Sequence, residues 1–163
     1  MVSNYEEKTC GEEKMKFTLY EEPTPQARHR TFKRNGKNIN YDPLSEKKYA
    51  LRLTMAKIMI EERMKDEEVN NLPYKDFYHI SLVFVFSIPK SATKAVKKAK
   101  LEQSEHTNVP DLDNCEKYFL DAMKGVFFSD DKKVVKLQSE KRWGSEGRVD
   151  IEIKGFNHER KDE

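Results

Sequence analysis

The segment FYHISLVFVFSIP, residues 77–89, forms the centre of the fold, because its pattern predicts the most buried β-strand of the chain. Large apolar residues occupy every second position and therefore share one face of the strand. These residues are Tyr78, Ile80, Leu82, Phe84, Phe86 and Ile88. Pro89 ends the strand, and His79 lies on the opposite face, where we expect it to complete a hydrogen-bond pattern.

Amphipathic helices are predicted on both sides of this strand in the sequence. Residues 43–65 place apolar side chains at spacings of three and four, which is typical of a helix with one buried face. This stripe, which we expect to face the core, consists of Tyr49, Leu53, Ala56, Ile60 and Met64. A second helix is predicted over residues 112–124, with Gly125 suited to end it. Its buried positions are Cys115, Phe119 and Met123.

Three further strands are predicted from apolar alternation. One covers residues 15–19. The last two cover residues 133–143 and 148–154, and residues 144–147 join them as a hairpin. The order strand, helix, strand, helix, strand, strand predicts a mixed α/β fold of the α+β type, with a mixed β-sheet of about four strands and two main helices packed on it.

The chain length of 163 residues is that of one domain. We expect this domain to cover residues 15–156, after a flexible acidic N-terminal extension at residues 1–14 and before a frayed tail at residues 157–163. No apolar run approaches the roughly 20 residues of a membrane-spanning helix, and the first twenty residues lack the apolar stretch of a signal peptide. We therefore expect a cytoplasmic protein without a membrane partner.

Several function classes are not supported, because the sequence lacks the motifs that are typical of them. Cys10 and Cys115 do not have the spacing of a zinc module or a disulfide framework. The phosphate loop, the Rossmann fingerprint and the HExxH and GxSxG motifs are absent from the sequence, so we expect no nucleotide cofactor, zinc protease or serine esterase.

Positive charge is concentrated in the first half of the chain. Residues 26–60 contain nine Lys or Arg and only two Asp or Glu, which predicts a surface that binds a polyanion. We expect a basic loop here, turning at Asn35 and Gly36, with Phe32 among its basic residues. Its phosphate-contact candidates are Arg28, Arg30, Lys33, Arg34 and Lys37. The lysine-rich residues 91–108, helix or loop, supply the weaker candidates Lys94, Lys97, Lys98 and Lys100.

Acidic residues cluster around the second predicted helix. Asp111 and Asp113 stand where a loop enters the helix, and Lys117 follows four residues after Asp113 on the same face. Asp130 and Asp131 come after the helix. Carboxylates are the ligands that Mg²⁺ prefers, and such an ion can lower the pKa of a water and clamp a phosphodiester. Alternatively, Asp113 forms a capping box with the residue three later, and the later pair forms a turn.

At these residues the sequence resembles the RusA family of Holliday-junction resolvases, which are small endonucleases of prophages and bacteria. The similar segments are PTPQARHR (23–30), PDLDNCEK (110–117), LDAMKGVFFSDD (120–131) and VVKLQSEKRWG (134–144). The resemblance implies that Asp111, Asp113 and Asp131 bind Mg²⁺, for which Mn²⁺ can substitute, and that these three and Lys117 are catalytic. Asp130 and Asn114 are weaker site candidates. Gln26 stands where the family usually has lysine, so we expect weaker DNA contacts there.

The resemblance further implies a homodimer that resolves four-way junctions by paired symmetric nicking. We expect the three aspartates to converge on an ion, since two acids precede the helix and one follows it. Two other functions stay open at this point. The protein could bind branched DNA without cutting it, using the aspartates as caps, or it could be a nuclease of flaps, forks or duplex DNA.

Overall fold

The computed structural model describes residues 10–65, 72–73 and 75–158. The helices are α1 (Ser45–Lys65), α2 (Lys94–Gln103) and α3 (Leu112–Met123). The strands are β1 (Cys10–Leu19), β2 (Arg30–Arg34), β3 (Lys37–Tyr41), β4 (Phe77–Ser87), β5 (Val134–Gly144) and β6 (Arg148–Asn157). Strands β1, β6, β4 and β5 form one mixed sheet, and α1 and α3 share a core with its apolar face, which confirms the α+β prediction. None of the helices in the described residues is both long and apolar enough to cross a membrane.

The apolar segment of residues 77–89 forms the inner strand β4. It pairs with β6 in antiparallel and with β5 in parallel orientation. Tyr78, Leu82 and Phe84 are fully buried, as the alternation predicts. Strand β4 is therefore hydrogen-bonded along both edges, and the helices pack on its apolar face.

The predicted hairpin between the last two strands is wrong, because β4 lies between β5 and β6. Residues 145–147 instead cross the end of β4 and join strands on its two sides. An apolar strand needs a partner on each edge, and this connection supplies both partners. Gly144 makes the crossing possible, since a Cβ atom at that position would lie 2.4 Å from Val85 Cγ1.

The two ends of the domain also differ from the prediction. Strand β1 begins at Cys10 and pairs with β6, so residues 10–14 belong to the sheet rather than to an N-terminal extension. Glu12 and Lys154 form an ion pair of 2.7 Å across these two strands. Strand β6 reaches Asn157, so the tail does not begin there. The rest of the predicted extension and tail, residues 1–9 and 159–163, lies outside the described residues.

Helix α1 turns the opposite face to the core from the one predicted. Four residues of the predicted stripe are exposed by more than half: Tyr49 (59%), Leu53 (54%), Ile60 (53%) and Met64 (82%). Leu51 and Met55 are buried instead, and of the stripe only Ala56 packs against the core. Both faces carry apolar residues, so spacing alone cannot choose between them. Arg52 helps to fix the observed orientation, since its Nη2 donates to the Asp121 carbonyl at 2.9 Å.

Helix α3 buries the predicted face. Cys115, Phe119 and Met123 are fully buried, and the Phe119 ring lies 5.4 Å from the Phe84 ring of β4. Gly125, at φ +84°, ends the helix as predicted, because it adopts the left-handed conformation that glycine tolerates best. The helix is therefore held rigidly on the centre of the sheet.

The orientation of α1 predicts unequal effects of two identical truncations. Met55→Ala removes a fully buried side chain and should lower the free energy of unfolding by about 2–5 kcal/mol, because it leaves a cavity. Met64→Ala, on the exposed face of the same helix, should change it by less than about 1 kcal/mol. Urea denaturation of both variants measures the difference. Equal losses, or a larger loss for Met64→Ala, would show that the stripe faces the core after all.

Candidate active site

Asp111 and Asp113 stand at the N-terminus of α3, exposed to solvent. Asp111 is the N-cap residue, with extended backbone angles, but its side chain makes no capping hydrogen bond. The alternative capping box is not formed, since Glu116 instead accepts a hydrogen bond from the Ser139 hydroxyl of β5. The two carboxylates, here called the α3 N-terminal acids, therefore do not cap the helix through side-chain hydrogen bonds. They lie where the helix dipole favours negative charge.

Lys117 and Asn114 continue this part of α3. Lys117 is exposed and lies one turn after Asp113 on the same helix face, so both side chains can reach one ligand. Asn114 is partly buried, and its carbonyl accepts a 2.8 Å hydrogen bond from the Gln26 amide. Asn114 thus connects the helix to the loop before β2.

Asp130 and Asp131 stand at the other end of α3. Lys124 Nζ lies 3.6 Å from Asp130 Oδ1 and 3.7 Å from Asp131 Oδ1. Asp130 caps the short 3₁₀ turn of Asp131–Lys133 by accepting from the Lys132 amide at 3.2 Å. This supports the turn interpretation for Asp130 and leaves Asp131 more exposed.

The two acidic groups do not converge within one chain. Helix α3 has 12 residues, about 18 Å at 1.5 Å per residue, and separates the α3 N-terminal acids from Asp131. Asp131 precedes the start of β5, whereas the segment before Asp111 is bonded to Lys141, late in β5. No three His, Cys, Asp or Glu residues of the described chain are close enough to hold a metal ion. The expected single-chain triad is therefore not formed, and the acids stand as two separate groups, one at each end of α3.

The basic segment after residue 26 is a two-stranded ribbon rather than a loop. Strands β2 and β3 pair through a turn at Asn35 (φ 51°) and Gly36 (φ 75°), which matches the turn predicted there. Every residue of both strands is exposed. This element, the basic ribbon (residues 28–41), carries the five candidates Arg28, Arg30, Lys33, Arg34 and Lys37. Phe32 packs edge-on against Tyr41, with ring centroids 5.7 Å apart.

Sequence reasoning missed the group that anchors this ribbon. Lys48 of α1 donates from Nζ to Gln26 Oε1 and Asp42 Oδ2, both at 2.8 Å, and to Asp121 Oδ2 at 3.0 Å. Burial opposes the charge on Asp42, but hydrogen bonds from Lys48, the Leu44 amide and Gln26 outweigh it and lower the pKa of Asp42 to about 2. Both ends of the ribbon are thus tied to α3, and Gln26 serves as a structural link between them.

Three lysines of α2 have partners within the chain, whereas Lys94 is exposed. Lys97 is partly buried and donates to the Lys90 carbonyl at 3.1 Å, and Lys98 lies 3.8 Å from Glu102. Lys100 Nζ stands 3.6 Å from the centre of the Trp143 ring. These contacts agree with their ranking as weaker candidates.

Cys115 lies next to the α3 N-terminal acids but does not supply a nucleophile. Burial raises the pKa of its thiol to about 11, so that it stays protonated at neutral pH. Its side chain is fully buried in the core. The chemistry of this region therefore belongs to carboxylates and lysines.

Comparison with known proteins identifies the family. The family model described as "Endodeoxyribonuclease RusA" matches residues 21–154, which include both acidic groups and the basic ribbon. The chain is 30% identical over 138 residues to the "Crossover junction endodeoxyribonuclease rusA" of Lactococcus phage r1t, covering 84% of this chain and 93% of the phage protein. It is 29% identical over 143 residues to the "Uncharacterized protein YqaN" of Bacillus subtilis (strain 168), covering 86% and 95%. The chain therefore belongs to the RusA family of endodeoxyribonucleases.

Proposed function

We propose that the protein is a Mg²⁺-dependent endonuclease that resolves four-way DNA junctions in the cytoplasm by paired symmetric nicking. One observation carries this proposal: the two α3 N-terminal acids are exposed and do not cap the helix, and the exposed Lys117 stands at the same end of α3. The chain also belongs to a family of endodeoxyribonucleases. Junction specificity is suggested by the name of the phage relative.

Three carboxylates would hold the ion: Asp111 and Asp113 from one group and Asp131 from the other. Carboxylate oxygens fit Mg²⁺, which also keeps several waters and open positions for phosphate. When bound, Mg²⁺ would lower the pKa of the attacking water and withdraw charge from the scissile phosphate. Lys117 binds that phosphate as a point charge and stabilises the negative charge that develops on it during the reaction.

A complete site requires two chains. In a twofold dimer, Asp131 of one protomer can stand beside the α3 N-terminal acids of its partner, and the same contact recurs on the other side. Two equal sites then face the two strands that a junction presents for cutting. The exposed apolar stripe Tyr49, Leu53 and Ile60 on α1 supports a homodimer, because it offers an apolar surface that the single chain leaves uncovered.

The basic ribbon supplies the DNA-binding surface. Its five cationic side chains project from an exposed two-stranded element, of a width that a DNA groove admits. The loop before it is bonded to Asn114, three residues after Asp111, so DNA on the ribbon lies close to the α3 N-terminal acids. Phosphate contacts from the ribbon would therefore hold a strand near the cutting site.

Removing one carboxylate should separate binding from cleavage. Asp113→Asn should lower cleavage of a synthetic four-way junction in Mg²⁺ by at least about 10²-fold, while junction affinity stays equal or rises because repulsion from phosphate is reduced. Glu146→Gln, in the exposed connection between β5 and β6, is the control and should leave both unchanged. Gel assays of binding without Mg²⁺ and of cleavage with it measure the two quantities.

Two results of that assay would contradict the proposal. Persistent cleavage by Asp113→Asn would place the active site elsewhere, and wild-type binding without any cleavage would favour a protein that binds branched DNA only. The same assay should compare junctions, flaps, forks and duplex. Equal rates on linear duplex would remove the junction specificity while leaving a nuclease.

Charge removal on the ribbon should weaken the salt dependence of binding. Arg34→Gln with Lys37→Gln, a pair on opposite sides of the turn, should reduce the slope of log affinity against log salt by about 2, because each phosphate contact contributes about 0.9. The control replaces Lys136 and Lys154, which line a cavity on the sheet, by glutamine. Fluorescence anisotropy at several salt concentrations gives the slopes. An unchanged slope in the ribbon variant, or an equal drop in the control, would exclude the ribbon as the DNA path.

A further inference from the structure

The loop that carries Asp111 is fastened to the edge strand β5. The Trp143 amide donates to the Ser104 carbonyl at 2.6 Å, and the His106 amide donates to the Lys141 carbonyl at 3.1 Å. Residues 104–106 thus extend the sheet by a short antiparallel segment at an edge that would otherwise be open. The start of the loop between α2 and α3 is fixed by main-chain bonds.

Lys141 fixes the other end of this loop. Its Nζ donates to the Asn108 carbonyl at 2.8 Å and to the Pro110 carbonyl at 2.6 Å. Pro110 immediately precedes Asp111, so the ammonium group of Lys141 holds the peptide group that joins Pro110 to this catalytic candidate. The Lys141 side chain is partly buried, and two of its three donors are used by these carbonyls. This arrangement differs from that of an extended lysine that reaches into solvent for a phosphate.

The side chains around this loop form a packed aromatic group. The His106 ring lies 4.3 Å from the Phe86 ring and 4.1 Å from the Trp143 ring, and it is 5% exposed. Trp143 is the single tryptophan of the chain. Its fluorescence therefore reports on the packing of the loop without any DNA present.

We propose that Lys141 is a positioning residue, which sets where the α3 N-terminal acids stand relative to the scissile phosphate. The inference rests on the proposed function. Asp111 has no side-chain cap of its own, so the backbone ahead of it depends on bonds from outside the helix. Without Lys141 the two carbonyls can turn to water, and the loop between residues 107 and 111 gains freedom. A displacement of about 1 Å in a reacting geometry lowers a rate by about 10²-fold.

Three variants test this role in the full-length protein. Lys141→Met keeps the length of the side chain and removes its donors, Lys141→Arg retains charge and donors, and Lys136→Met is a matched control on the same strand. We expect Lys141→Met to lower kcat for junction cleavage by about 10–100-fold, with KM and the salt slope of binding unchanged. Lys141→Arg should recover most of the loss, and Lys136→Met should behave as wild type.

Hydrogen exchange tests the same idea without cleavage. The hydrogen-bonded amides on either side of this loop, those of His106 and Cys115, donate to the Lys141 and Asp111 carbonyls at 3.1 and 3.3 Å and should exchange at least about tenfold faster in Lys141→Met. The emission of Trp143 should shift in the same variant. Unchanged exchange would overturn the inference even if the protein cut no DNA, and absence of cleavage by the wild type would count against the proposed function alone.

Other outcomes would also overturn the inference. A wild-type kcat in Lys141→Met would show that the loop is held without this residue. A higher KM together with a salt slope reduced by about 1 would make Lys141 a phosphate ligand instead. If Lys141→Met does not fold, Lys141→Gln carries the test, and it should lower kcat by at least about tenfold, whereas wild-type kcat in that variant would contradict the role.

Discussion

The packing of α3 on β4 is the constraint from which the proposed mechanism follows. Cys115, Phe119 and Met123 are fully buried against the sheet, so the helix cannot slide or tilt without opening the core. The acids at its two ends are therefore held apart by the length of the helix. A rigid scaffold of this kind opposes a rearrangement within one chain that would bring Asp131 to Asp111, and in the proposed mechanism a second protomer supplies the missing ligand.

The elements around α3 each fix one part of the proposed DNA-cutting surface. Lys48 ties both ends of the basic ribbon to the helix through Gln26, Asp42 and Asp121. Strand β5 holds the loop before Asp111 through Lys141. The charges proposed to bind DNA and those proposed to cut it are thus oriented by one helix, so that a strand on the ribbon would meet the carboxylates in a defined position.

Local patterns predicted the parts of the fold in which one face alone is apolar. The alternation in β4 and the spacing in α3 gave the correct buried faces, and the acidic motif gave the family. The sequence could not show which face of α1 is buried, because both faces carry apolar residues. It also could not show that β5 and β6 pair with β4 rather than with each other, because this arrangement depends on the need of β4 for a strand along each edge. Lys48 and Lys141 were missed because each is one of many lysines, and only tertiary contacts distinguish them. The separation of Asp131 from Asp111 likewise depends on how α3 lies along β5.

Complementation between two inactive subunits measures whether each active site is shared. Asp113→Asn and Asp131→Asn are co-expressed with different tags, and the heterodimer is purified through both. If the acids come from two protomers, one site of the heterodimer loses both groups and the other is intact, so junction nicking returns at about half the wild-type number of sites. Each homodimer should be inactive. A heterodimer as inactive as both homodimers would contradict the shared site, and it would show that each chain supplies all its own ligands.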